Sequence, residues 1–273
     1  MNLLQRCSCN VTICGLCLAA VTGAYAQVSS INSAIITPRV FNDVPGAAGT
    51  YINNLGNPQN DTLSISLGEA GMSAATGYAD RDIWQFANGA GAYNFQNNDY
   101  FSASFSLTLT GSGTPGIDLE AGFLFSNPSG SFGGDSQSIV KGTGEIVQFG
   151  GISFYGFSAG DSGPLPNYIL GQTINMDMMY CIDPLTGNNA LQYSANGVLS
   201  PYFDFALGAG IGNVAGNTLG GYFQIQNDPN NANNNGTAVF SDISISTWPV
   251  PEPSTLAFLG LGSVALLLRR RRI

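Results

Sequence analysis

From Phe101 to Thr110 the chain alternates without a break. Phe101, Ala103, Phe105, Leu107 and Leu109 fall on one side, and Ser102, Ser104, Ser106, Thr108 and Thr110 on the other. A period of two sets an apolar face against a core and a hydroxyl face in water, which is a half-buried β-strand. Leu63, Ile65 and Leu67 repeat the pattern against Ser64 and Ser66. Ile174, Met176, Met178, Tyr180 and Ile182 repeat it against Thr173, Asn175, Asp177 and Met179. Asp183-Pro184-Leu185-Thr186-Gly187 then makes a turn, and Ala190–Ser194 returns as a hairpin partner. Further strands are predicted at Asp82–Phe86, Leu119–Phe125, Glu145–Phe149, Ile152–Phe157, Gly221–Gln226 and Val239–Ile245. No segment between the termini has a helical period. With 273 residues, of which 44% are hydrophobic and 36 are glycine, the chain can bury a sizeable core. Many strands with polar outer faces make an all-β sandwich or barrel.

Composition narrows the chemistry. There is no histidine, so Ser-His-Asp and Cys-His catalysis, histidine metal ligands and a histidine pH switch are all excluded. Residues 27–250 hold three bases, Arg39, Arg81 and Lys141, against 16 of the 17 acids. A stretch so acidic repels phosphate backbones, and nucleic acid is not expected as a partner. It suits solubility outside the cell, with cations or neutral sugars as partners.

Both ends look like processing segments. Residues 1–26 form an expected signal peptide: Arg6 gives the positive start, an apolar stretch runs from about Val11 to Val21, and Ala24-Tyr25-Ala26 offers the small-x-small cleavage pattern, with Ala24 and Ala26 flanking Tyr25. Four of the five cysteines lie in this segment. After cleavage Cys181 alone remains, so no internal disulfide forms and stability rests on core burial. With no histidine to activate it, Cys181 is read as an inert, half-buried thiol.

At the other end Val250-Pro251-Glu252-Pro253-Ser254-Thr255 leads into an apolar run, Leu256–Leu268, and then Arg269, Arg270, Arg271, Arg272 and Ile273. Thirteen residues of helix are short against the ~20 usual for a span. Ser254 and Thr255 extend the run, and the arginines snorkel while fixing the end in the cytoplasm. The tail resembles the PEP-CTERM sorting signal of bacterial exported proteins, whose parts are a Pro-Glu-Pro motif, a hydrophobic helix and a terminal basic cluster. The resemblance implies a transient membrane anchor, an exosortase-type processing enzyme as partner, a Gram-negative-type envelope, and association with exopolysaccharide or biofilm matrix. The expected organisation is therefore residues 1–26 as signal peptide, 27–248 as β-sandwich and 249–273 as sorting signal with a single transmembrane helix.

The order of strands in the body resembles concanavalin A-like jelly rolls, the fold of legume lectins, laminarinases and laminin-G domains. Its carriers are the Phe-rich strand, Glu120–Phe125, Glu145–Gly150, Met176–Tyr180 with its Asp183-Pro184 turn, Gly220–Phe223 and Phe240–Ile243. The resemblance implies that the first and last strands are neighbours, with Val40-Phe41 close to Ile243. Laminarinase-type enzymes carry E-x-D-x-E on one strand, placing nucleophile and acid on one face. Here Gly116-Ile117-Asp118-Leu119-Glu120 has glycine at the first position, so the nucleophile is missing, and Asp118 with Glu120 reads as a solvated strand face. Asp80-Arg81-Asp82 reads as a surface turn. Asn231-Ala232-Asn233-Asn234-Asn235-Gly236, with Asp242 beyond it, has the spacing of an EF-hand loop but only one charged ligand, and Asp242 falls in a predicted strand. No cofactor is called for, and no calcium ligand set can be named, although lectin-like sandwiches often carry calcium. Trp84, Tyr93, Tyr155, Tyr168, Tyr193 and Tyr202 are the candidates for stacking on sugars. Thr108 and Thr110 make one T-x-T pair, without the repeated array that an ice-binding face needs. The expectation is a non-enzymatic, exported surface or matrix protein with a structural or glycan-contacting role and polysaccharide as a partner. The alternatives are a lectin-like carbohydrate-binding module, then a glycoside hydrolase or an ice-binding protein.

Overall fold

A computed structural model describes residues 31–249, apart from 43, 45, 59–63, 73–78, 90, 97–98, 113–118, 127–135, 150–153, 205–215 and 227–233. The described residues form two antiparallel sheets packed as a jelly-roll sandwich of the concanavalin A-like kind. One sheet has seven strands in the order β1 (Ser33–Asn42), β4 (Ala79–Ala87), β14 (Thr218–Gln226), β6 (Leu119–Ser126), β7 (Ser136–Lys141), β8 (Ile146–Phe149) and β9 (Tyr155–Gly156). The other runs β12 (Val198–Leu199), β11 (Asn189–Ala195), β10 (Thr173–Ile182), β5 (Asp99–Ser112), β15 (Asn234–Pro249), β3 (Ile65–Met72) and β2 (Ala48–Asn53), with β13 (Phe203–Asp204) pairing β11 off this path. A single 3-10 turn spans Ala159–Asp161.

The alternation read at 101–110 is the alternation built. All five apolar residues of β5 are buried, and Ser102 to Thr110 on the other face are half-buried or exposed. β10 pairs β5 with Met176 opposite Phe105 and Met178 opposite Ala103, so the two apolar faces coincide. The sandwich interior is aromatic. Trp84 meets Phe86, Phe105 and Phe240 edge-on at centroid distances of 5.1, 6.1 and 5.6 Å, a geometry that sets ring edges against ring faces. Phe105 lies 4.1 Å from Phe123 of the opposing sheet. Gly221 makes room for this: a Cβ there would stand 2.5 Å from Trp84 Nε1 and 2.8 Å from Phe240 Cε1.

Several expectations are corrected. Asp80-Arg81-Asp82 is no surface turn. All three residues lie in β4, whose nine residues are buried throughout. The first and last strands are not paired: β1 ends the seven-stranded sheet, whereas β15 is interior to the other, between β5 and β3. The stretch 152–157 yields only the two-residue β9 among its described residues, and β1, β2 and β7 were not foreseen. Ile182 is 44% exposed, because β10 is running out into its turn there.

Candidate functional site

Strand alternation splits the charges of β4. Trp84 and Phe86 face the sandwich interior, so Asp80 and Asp82 share that face, while Arg81, Ile83 and Gln85 occupy the outer face of the seven-stranded sheet.

On the outer face, Arg81 Nε donates to Gln224 Oε1 at 2.9 Å, and its Nη2 lies 3.6 Å from Glu120 Oε1. The guanidinium sits 4.3 Å above the Tyr222 ring, in cation–π range. The Tyr222 hydroxyl lies 3.1 Å from Glu120 Oε1 and 2.9 Å from Gln137 Oε1. One O–H donates to one of these; with the Gln137 amide turned over, its NH2 donates to the phenolic oxygen, and both contacts are made. Ile83, Leu124, Ile139 and Val147 form an apolar floor beside this group, with Val40 and Phe149 half-buried at its margins. Glu120 is thus not on a solvated face. It is 8% exposed and paired with a fully buried Arg81, while Asp118 and Gly116 lie outside the described residues. Chemically, the arrangement sets a phenol at hydrogen-bonding distance from a carboxylate and a cation at ion-pair distance from it, the cation offsetting the buried carboxylate.

The inner-face carboxylates belong to a second group at the corner of β1, β2, β3 and β4. Arg39 has φ +52 where the β1 register shifts between Thr37 and Phe41. This bend brings its backbone N–H to Asp82 Oδ1 at 2.6 Å and its guanidinium to Glu69 Oε2 at 2.9 Å, to Asp80 Oδ2 at 3.5 Å and to the Ala47 carbonyl. The Tyr51 hydroxyl donates to Asp82 Oδ1 at 3.1 Å. Glu69, Asp80 and Asp82 side chains are buried. Burial pushes the Glu69 carboxyl up from 4.5 to about 8, the Asp82 charge pushes the same way, and Arg39 opposes both. Asp82 is also raised by burial, against its hydrogen bonds from Arg39 and Tyr51, and Tyr51 is raised by burial and by the two carboxyls.

Of the residues proposed to stack on sugars, Trp84, Tyr93, Tyr168 and Tyr193 are buried. Tyr155 and Tyr202 remain half-buried, and Phe154 is 61% exposed. The Tyr155 and Phe203 rings lie 6.5 Å apart, joining β9 at the rim of one sheet to β13 beside the other. Phe203 in turn lies 6.3 Å from Tyr193. Sequence reasoning missed the exposed Phe154 and the half-buried Phe203, since nothing in their local pattern separates them from core rings.

The outer face of the eight-stranded sheet is a lattice of small polar groups. Ser104 and Ser244 hydroxyls are 2.7 Å apart, and the Ser106 hydroxyl lies 2.9 Å from Asn175 Oδ1 and 3.1 Å from Asp242 Oδ2, donating its one proton to one of them. Thr108 meets Thr173 at 2.8 Å, giving the T-x-T pair a cross-strand threonine that the linear sequence did not show. Asp242 is in β15, as its predicted strand required, while residues 231–233 of the EF-hand-like spacing lie outside the described residues. Among the described residues no group of three or more His, Cys, Asp or Glu is disposed to hold a metal ion. Cys181 is half-buried, its thiol pushed up by burial and by Asp183.

Ala24, Ala26, Pro251, Glu252, Pro253, Arg269, Arg270, Arg271 and Arg272 lie outside the described residues, as does the apolar run expected to span the membrane. No helix among the described residues is long and apolar enough to cross a membrane.

Residues 249–272 match the PEP-CTERM protein-sorting motif, so the chain carries a signal for export and transient membrane anchoring. No curated protein matches the chain. Among solved structures, it is similar to alginate lyase A1-II', a member of polysaccharide lyase family 7, at 14% identity over 73% of this chain and 86% of that one, with a TM-score of 0.43. It is similar to the alginate lyase from Corynebacterium sp. at 10% identity over 67% and 77%, with a TM-score of 0.39. Lectin II from Ulex europaeus aligns at 9% identity over 79% of this chain and 100% of that one, with a TM-score of 0.36. These are likenesses of fold. The neighbours include polysaccharide lyases, so the expectation of a non-enzyme is withdrawn, and a likeness of fold carries no activity over to this chain.

Proposed function

We propose that the chain is an exported surface or matrix protein that contacts polysaccharide through the aromatic rim between β9 and β13. The Tyr155–Phe203 contact across the two sheets, with Phe154 exposed beside it, carries this reading. Rings held by packing at a sandwich edge offer sugars a flat apolar surface at little entropic cost. In this reading residues 1–26 direct export, with cleavage after Ala26. Arg269–Arg272 hold the tail at the cytoplasmic side, and an exosortase-type enzyme acts near Pro251-Glu252-Pro253, whose prolines resist helix and leave an extended segment to grip. The body between them reaches the polysaccharide as a lectin-like module.

Two measurements test the proposal separately. The full chain, produced in hosts with and without an exosortase, should lose its tail only in the first. Replacing Pro251, Glu252 and Pro253 by alanine should block that loss and leave export intact. In a glycan-array or affinity-electrophoresis screen, Phe154→Ala and Tyr155→Ala should weaken retention by at least about tenfold, the effect of losing one good stacking contact. Retention unchanged in both variants would remove the rim from the contact.

A further inference from the structure

The corner formed by β1, β2, β3 and β4 contains two oxygens that no donor reaches. Glu69 Oε2 is taken by the Arg39 guanidinium, and Asp82 Oδ1 by the Arg39 backbone N–H and the Tyr51 hydroxyl. Glu69 Oε1 and Asp82 Oδ2 are both buried without a hydrogen-bond partner. Both carboxyl groups converge on Arg39, Glu69 on its guanidinium and Asp82 on its backbone N–H, and the Tyr51 hydroxyl that meets Asp82 Oδ1 stands where a Gly49 Cβ would also touch Glu69 Oε1. Two carboxylates so placed would repel, and each would keep an unpaired oxygen in a dry site, which costs free energy. A single proton between them resolves both problems, since it makes one oxygen a donor and the other its acceptor.

We propose that Glu69 and Asp82 share one proton, in a carboxyl–carboxylate hydrogen bond that fastens β3 of one sheet to β4 of the other. The surrounding groups fit this role. Arg39 from β1 and Asp80 from β4 face the pair, together with the Tyr51 phenol from β2. From β14, the residues opposite Asp82 and Asp80 are Phe223 and Ile225, which cannot solvate a charge. Gly49 admits the Tyr51 ring: a Cβ there would overlap the Tyr51 hydroxyl and touch Glu69 Oε1 at 3.0 Å. The only cation in this group is Arg39, whose guanidinium also holds the Ala47 carbonyl of the β1–β2 connection. Loss of the proton sets two carboxylates beside that one guanidinium.

The direction of the pH effect follows from the raised Glu69 value. Below pH 4.5 the carboxyl is protonated whether the chain is folded or not. Between 4.5 and about 8 the unfolded chain releases a proton that the folded chain retains, so stability falls as pH rises. Above about 8 both states have released it, and the dependence ends.

The test uses the full chain purified in detergent. Infrared difference spectra of the wild type should show a buried protonated carboxyl at neutral pH that disappears with a midpoint near pH 8. Its unfolding constant in urea should rise by up to about tenfold per pH unit within the window. Glu69→Gln places an amide N–H where the shared proton lies. It should remove the infrared signal and flatten this pH dependence. Absence of a titrating buried carboxyl in the wild type overturns the proposal even if the variant fails to fold. So does a Glu69→Gln protein whose stability keeps the wild-type slope.

Discussion

Arg81 and Asp82 are consecutive residues that belong to separate charge groups. β4 turns Arg81 outward to Glu120, Gln224 and the face of Tyr222, and Asp82 inward to Arg39, Tyr51 and Glu69. One strand therefore ties charges on both of its faces to residues from five other strands, and removing either group should be felt as loss of stability.

Arg81→Met should destabilise the protein by about 3–5 kcal/mol, because it leaves the Glu120 carboxylate buried beside an apolar side chain. Adding Glu120→Gln should recover part of that loss, since the stranded charge is then gone. Urea unfolding of the two single variants and the double variant measures the coupling directly. Additive losses would mean that the pair does not act as one.

Gly221→Ala should cost about 1–3 kcal/mol through overpacking. Its Cβ meets the Trp84 indole and the Phe240 ring, and neither can move without displacing Phe105. The near-ultraviolet circular dichroism of Trp84 should change with it. Gly171→Ala is the control: φ is +86 with nothing near the added atom, so strain of about 1–2 kcal/mol should appear with an unchanged tryptophan signal.

The strands that face water on one side were legible as alternations, and β4, β6 and β14, buried on both sides, were legible as strands, but the roles of their charged residues were not. β5 and β10 print their burial as an alternation because solvent reads one face. In β4 every residue is buried, so Asp80-Arg81-Asp82 gives no period, and a charged triplet with an internal counter-ion looks like a turn. Its partners Arg39, Glu69, Glu120 and Tyr222 are far away in sequence, and only the sheet order brings them together. β1 and β2 are edge strands with mixed polar faces, which leaves their pattern weak. The aromatic rim was half legible: Tyr155 and Tyr202 stood out as rings, but which rings stay near solvent is decided by where β9 and β13 end.

Tyr168→Phe should cost about 1–3 kcal/mol, more than a surface hydroxyl would. The Tyr168 hydroxyl accepts from the Leu109 backbone N–H at 2.9 Å and donates to the Gln172 carbonyl at 2.6 Å. It thereby stands in for ladder bonds just where β10 begins to pair with β5. Hydrogen exchange should show the Leu109 amide losing protection ahead of the rest of β5, and unchanged protection at that amide would count against this role.

Cys181 should react slowly with iodoacetamide at neutral pH. Burial and the neighbouring Asp183 raise its thiol, so little thiolate is present. The rate should climb with pH beyond the range where an exposed thiol levels off, and unfolding in urea should restore ordinary reactivity. A fast reaction in the folded protein would mean that this thiol is activated.

The place of β15 gives assembly a direction in time. Among the described residues it is the only hydrogen-bonded link between β2–β3 and the rest of the eight-stranded sheet, yet it is also the last described strand. A chain delivered N-terminus first would wait with the edges of β3 and β5 both unpaired, the state most open to wrong partners. The piece that ends the wait is continuous with the sorting motif beginning at residue 249. A halt at the tail would thus hold the chain at the membrane at the moment its closing strand arrives, and any cut upstream of β15 would leave a sheet that cannot shut.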